Sequence, residues 1–173
     1  MPALNRLIIF CITALFIGVV VGCTTTVQSK AGTSTTIILT RHAERTVITK
    51  VLTEKGHTRA KDLVKAVGDK NITAIYSPDL VRNLDTVRPL AKYLGIEITT
   101  VSSKPDADTV VNTILTRHAG QVVLWVGNTT NLSDIYYKLG GQGEPPDNYG
   151  DLFFLEIKDK GVTEVTKTTY GAT

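Results

Sequence analysis

The chain has 173 residues, 42% hydrophobic and 20% charged, with a formal net charge of +3. That length holds one domain of ordinary size plus a short appendage. The charge is small and dispersed, with no basic run and no interleaving of aromatic and basic residues, which argues against a nucleic-acid partner. The two cysteines, Cys11 and Cys23, both lie near the N-terminus. Neither can join a disulfide framework or a structural zinc site within a folded domain.

Residues 1–22 read as a targeting segment that stands outside the fold. Arg6 is their only charge, and Leu7 to Val21 is a nearly unbroken apolar run. The run is shorter than the roughly twenty residues that span a bilayer comfortably. It ends in Val20-Val21-Gly22-Cys23, which resembles the lipobox of bacterial lipoproteins. The resemblance implies cleavage before Cys23, acylation of Cys23 and anchoring in a bacterial cell envelope. Two or more acyl chains hold firmly where one does not. Thr24, rather than Asp, follows the Cys, which implies the periplasmic side of the outer membrane in a host with two membranes. An uncleaved apolar anchor is the alternative. Residues 23–35 are rich in Thr, Ser and Gly without apolar periodicity, as expected of a flexible tether. The folded domain is expected over 36–173.

The domain opens on Thr36 to Thr40, an apolar β-branched run short enough for a buried strand. It ends abruptly in Arg41-His42. A guanidinium offers a fixed fork of donors to phosphate oxygens, and a neutral imidazole can act as a nucleophile. Helical spacing of Ala60, Leu63, Val64 and Val67 predicts a helix from Thr53 to Val67, stopped by Gly68. A second strand is expected over Ile72 to Tyr76. Ser77-Pro78 reads as N-cap and first residue of a helix reaching Leu94, kinked at Pro89.

A third strand is expected over Ile96 to Val101. Pro105 opens a third helix, with Asp106 and Asp108 in its first turn and Arg117 and His118 in its last, a charge order that suits the helix dipole. Gln121 to Val126 forms a fourth strand, followed by a short helix to Leu139. Leu152 to Ile157 and Val162 to Tyr170 form two strands joined at Asp159-Lys160-Gly161. Strands alternating with helices predict a three-layer α/β/α sandwich, its sheet mainly parallel with antiparallel C-terminal strands. Ligands of such sheets bind beyond the carboxyl ends of the strands. Arg41-His42, Ser77 and Asn128 all fall there.

Ile-Leu-Thr-Arg-His-Ala occurs twice, at 38–43 and 114–119. The second copy lies in the last turn of a helix, where basic residues serve capping and the dipole, so His118 reads as structural. His57, in a polar helical turn, reads as a surface residue. Three dispersed histidines without a close pair make no metal site.

Several segments together resemble the histidine phosphatase (phosphoglycerate mutase-like) superfamily, over about Thr36 to Tyr170. They are Thr40-Arg41-His42-Ala43-Glu44, the Leu52 to Ala60 segment with its Leu-Thr-x-x-Gly pattern, Ile75 to Arg82, and Thr86 to Ala91. The last includes Pro89 in a Thr-x-x-Pro-Leu-Ala sequence.

The resemblance implies a small, minimal member that hydrolyses a phosphomonoester without metal or other cofactor. His42 would become phosphorylated, Arg41 and Arg82 would clamp the phosphoryl group, and water would then release it. Where the family has a second catalytic His after the fourth strand, this chain has Asn128. Asn128 can donate a hydrogen bond to a phosphate oxygen but carries no charge. Losing that donor type costs roughly a hundred- to thousandfold in rate. Glu44 is the first candidate for general acid, with Asp106 and Asp108 behind it. The alternative function is a catalytically inactive pseudophosphatase, an envelope module that binds an anion or a partner. The expected partners are a small phosphorylated substrate and the membrane, through the lipid anchor.

Overall fold

The computed structural model describes residues 27–172. The expected signal peptide and Cys23 lie outside the described residues. The elements, in order, are β1 (Ser34–Arg41), α1 (Glu54–Val67), β2 (Ile72–Pro78), α2 (Val81–Leu94), β3 (Ile98–Val101), α3 (Ala107–Arg117), β4 (Val122–Gly127), α4 (Thr129–Lys138), β5 (Asp151–Lys158) and β6 (Glu164–Thr169). They form one six-stranded sheet in the order β3-β2-β4-β1-β5-β6. The first four strands of that order run parallel, and β5 and β6 run antiparallel. This is the α/β architecture expected from the alternation of elements.

β1 and β4 are continuous apolar runs because both faces of the sheet are covered. Ile37 and Leu39 of β1, with Val123 and Trp125 of β4, pack against Val110, Ile114, Leu132 and Ile135 of α3 and α4. Ile38, Leu124 and Val126 face the other way, towards Leu63, Val67, Val87 and Leu90 of α1 and α2. Successive strand residues therefore feed opposite cores.

The largest departures from the sequence expectation lie at the starts of α2 and α3. Ser77-Pro78 does not start a helix: β2 continues to Pro78, which pairs with Val101 of β3. Asp79 donates its backbone N–H to the carbonyl of Val101, and α2 begins only at Val81, with Leu80 as N-cap. The strand pairing outweighs the local Ser-Pro signal. The third helix starts after Asp106, whose carboxylate caps Thr109.

The expected tether is also shorter. Ser29 donates its N–H to the carbonyl of Lys158 and shares a hydrogen bond with the hydroxyl of Thr35. Gly32 donates to Asp159. These polar residues stay on the domain because their backbone and hydroxyl groups find partners there, and Val27 packs against the larger core cluster. Residues 23–26 of the proposed tether lie outside the described residues.

Candidate active site

Parallel pairing sets the site. Arg41 lies opposite Gly127 in the register of β1 and β4, and His42 donates its backbone N–H to the carbonyl of Gly127. The end of β1 is thereby fixed beside Asn128, the first residue after β4. Gly127 is required there, since a Cβ would collide with the side chains of Asn131, Trp125 and Leu132. Gly56 plays the equivalent part in α1: a Cβ would overlap the backbone carbonyl of Glu44. The turn after β1 and the start of α1 pack too closely for any side chain.

His42 is 2% exposed. Its Nδ1 lies 2.8 Å from the carbonyl oxygen of Ala43. A carbonyl only accepts, so this contact assigns the proton to Nδ1 and leaves Nε2 with a free lone pair. Burial lowers the His42 pKa to about 4; the Ala43 hydrogen bond raises it in part, and the charges of Arg82, Arg41 and Arg45 add to the lowering. At neutral pH the ring is uncharged and nucleophilic.

Three arginines act on that ring. Arg41 donates from Nη1 to the backbone carbonyl of Asp147 at 2.6 Å. Its guanidinium carbon also lies 4.3 Å from the centroid of the Tyr149 ring, a cation–π distance. The Tyr149 ring is itself 5.8 Å from that of His42. Burial pushes the Arg82 pKa down, and Arg45 and Arg41 push the same way, with Tyr149 opposing.

The Nε atoms of Arg41, Arg45 and Arg82 are all buried and without a hydrogen-bond partner among the described residues. Orphaned buried donors of this kind are costly, and the charges of all three arginines reach His42. An anion with several acceptor oxygens satisfies such a set.

Arg45 and Tyr149 were absent from the sequence reading. Arg45 carried a signal, since it lies three positions after His42 on the same turn. Tyr149 belongs to the Gly/Pro-rich stretch before β5. Nothing in its local pattern says that this loop returns over the end of β1. Asp151 holds the loop, accepting the backbone N–H groups of Asp147 and Asn148 at 2.9 and 2.8 Å.

Glu44 has a different task from the proposed acid. Arg59, 4% exposed, donates from Nε to Oε2 at 2.9 Å and from Nη2 to Oε1 at 2.7 Å. Lys55 lies 3.7 Å from the same carboxylate. Burial, the largest single influence, raises the Glu44 pKa, but the Arg59 hydrogen bonds and the nearby cations together hold it below its usual value. A carboxylate stabilised in its charged form this way is a poor proton donor.

Asn128 lines a cleft with Arg82. It is also the N-cap of α4, in a reciprocal capping box with Asn131: Asn128 Oδ1 accepts the Asn131 N–H, and Asn131 Oδ1 accepts the Asn128 N–H. The Asn-x-x-Asn spacing at 128–131 was a readable cap signal.

Asp106 and Asp108 are tied up elsewhere, Asp106 in the cap of α3 and Asp108 in an ion pair with Lys138. Ser77 is fully buried and donates to the carbonyl of Pro78. His118 bonds the Tyr76 hydroxyl at 2.9 Å and the Gln121 side chain at 3.0 Å, a structural role at the far end of the strands. His57 is exposed.

The family model of the histidine phosphatase superfamily (branch 1) matches residues 37–103. Over these residues the chain is similar to that superfamily. Solved structures share its fold. YhfR of Bacillus stearothermophilus superposes with a TM-score of 0.63 at 22% identity, covering 76% of this chain and 95% of that one. A mycobacterial glucosyl-3-phosphoglycerate phosphatase gives 0.61 at 12% identity, covering 81% and 100%. SixA of Agrobacterium tumefaciens gives 0.59 at 20% identity, covering 80% and 98%. No curated protein sequence matches the chain.

The fold places His42 and its arginines at the carboxyl end of the parallel strands. Thr86 locks them together. Its hydroxyl accepts the backbone N–H of Ala43 at 2.9 Å and donates to the carbonyl of Arg82 at 2.8 Å. One side chain on α2 therefore links the turn bearing His42 to the turn bearing Arg82.

Proposed function

We propose that this protein hydrolyses phosphomonoesters through a phosphohistidine on His42. The observation that carries the reading is a neutral His42, its Nδ1 held by the Ala43 carbonyl, under three guanidiniums with unpartnered buried Nε atoms. In the first step Nε2 attacks phosphorus and the ester oxygen leaves. In the second, water attacks the phosphohistidine and releases inorganic phosphate. Arg41, Arg45 and Arg82 offset the negative charge of the phosphoryl oxygens, which is the main contribution a protein makes to such a transfer. Asn128 supplies a neutral amide where an imidazole would add charge.

The proposed setting is the cell envelope, with the domain tethered through a lipidated Cys23. The Val20 to Cys23 sequence supports it. Among the described residues no helix is long and apolar enough to cross a membrane. Cys23→Ser is expected to move the protein from the membrane to the soluble fraction; continued membrane association counts against the lipid anchor.

A second reading is a binding module without turnover. Asn128 favours it, because its side-chain oxygen is committed to capping α4, and the acid candidates Glu44, Asp106 and Asp108 are engaged elsewhere. Release of inorganic phosphate from p-nitrophenyl phosphate by the full chain in detergent, absent in His42→Ala, supports the enzyme. Tight phosphate binding without release by either protein supports the module.

A further inference from the structure

A cleft of about 540 Å³ opens beside the site, between the segment after β3 and the first turns of α4. Arg82 and Asn128 belong to its wall, so it adjoins the site on the Arg82 side. Beyond them it is lined by Lys104, Thr130, Asn131 and Asp134. Asn131 is 6% exposed and its Nδ2 has no hydrogen-bond partner among the described residues. Neither Lys104 nor Asp134 forms a salt bridge there.

The lining has no aromatic residue, and Leu80 and Pro105 are its only apolar side chains. It offers donors in Lys104 and the amides, an acceptor in the Asp134 carboxylate, and a hydroxyl that does both. An apolar leaving group would leave the buried Asn131 amide unpaired, the costly outcome for a polar site. An acidic leaving group would face Asp134. A hydroxyl, donor and acceptor at once, satisfies both kinds of wall. The volume falls within the roughly 300–1,000 Å³ of small-molecule sites.

We infer that this cleft is the leaving-group subsite and that the substrate is the phosphate ester of a polyhydroxylated compound, a sugar or polyol, read by Lys104, Asn131 and Asp134. The inference rests on the phosphatase reading above for the position of the phosphoryl group.

Calorimetric titration of the full chain in detergent tests it, in a His42→Ala background so that no ligand is consumed. The ligands are inorganic phosphate, glucose 6-phosphate, phenyl phosphate and 3-phosphoglycerate. Glucose 6-phosphate is expected to bind about tenfold or more tightly than phenyl phosphate, the equivalent of roughly one well-formed interaction. Asp134→Ala and Lys104→Ala, both on exposed positions, are expected to bring that ratio to within about threefold.

Equal binding of the two esters overturns the inference, as does a preference that survives both substitutions or tightest binding by 3-phosphoglycerate. If inorganic phosphate binds in any of these cases, the anion site stands and only the subsite fails. If no ligand binds, the anion site fails as well.

Discussion

Glu44 and Arg59 face each other as a doubly bonded pair, Nε to Oε2 at 2.9 Å and Nη2 to Oε1 at 2.7 Å. Arg59 also donates to the carbonyls of Tyr170 at 2.7 Å and Ala172 at 2.8 Å. One guanidinium thus ties the turn after His42, helix α1 and the end of the described chain. The pair positions the turn; it does not touch the reacting atoms.

Breaking a buried pair of this kind typically costs about 3–5 kcal/mol. Arg59→Met is expected to lose stability on that scale in urea denaturation. Glu44→Gln is expected to destabilise in the same direction while keeping a measurable phosphoenzyme. A stable Glu44→Gln protein that has lost leaving-group protonation would return Glu44 to the role of acid.

The low pKa of His42 has a sign that can be checked. Protonation in the folded state waits until about pH 4, against 6.5 for an ordinary histidine. The unfolded chain therefore binds more protons between those values, and stability rises with pH across that window. The stabilisation is present above pH 6.5 and lost as pH falls through about 4. The His42 ring signals in nitrogen NMR are expected to stay those of the Nδ1–H tautomer down to pH 5.5. Titration near 6.5 would show that the ring is neither buried nor flanked by cations as described.

Arg45 adds a third guanidinium to the two that the motif pattern supplies. Arg45→Gln is expected to weaken inorganic phosphate binding by roughly tenfold, the scale of one hydrogen bond to a charged group. Unchanged affinity would make Arg45 a structural residue of the turn that pairs with Leu52.

Asn128 holds two jobs that pull apart. As N-cap it stabilises α4, and its loss costs about 0.5–2 kcal/mol. As the neighbour of Arg82 it lines the cleft. Asn128→His is expected to raise turnover while lowering stability by an amount within that range. A variant with unchanged turnover would show that the site lacks more than this imidazole.

The sheet was legible because β1 and β4 are apolar on both faces and each helix carries one apolar stripe. The end of β2 was not. Ser77-Pro78 is a good helix start locally, and only its pairing with Val101, a residue of another strand, keeps it extended. The site followed the same division. Arg41, His42 and Asn128 could be placed at strand ends from the alternation of elements, whereas Arg82 was implied only by the family resemblance. Arg59 as the partner of Glu44 could not, because α1 brings the two together from fifteen positions apart. Tyr149 required the return of a loop that has no periodicity of its own.

The central claim is that His42 is phosphorylated during turnover. Full-length protein mixed with a phosphomonoester, quenched in alkali and digested without acid, is to be measured by mass spectrometry at the peptide containing His42. The account predicts a phosphate on His42 that acid removes and that is absent from the other two histidines. Phosphate release without that adduct, or an adduct on His57 or His118, would contradict it.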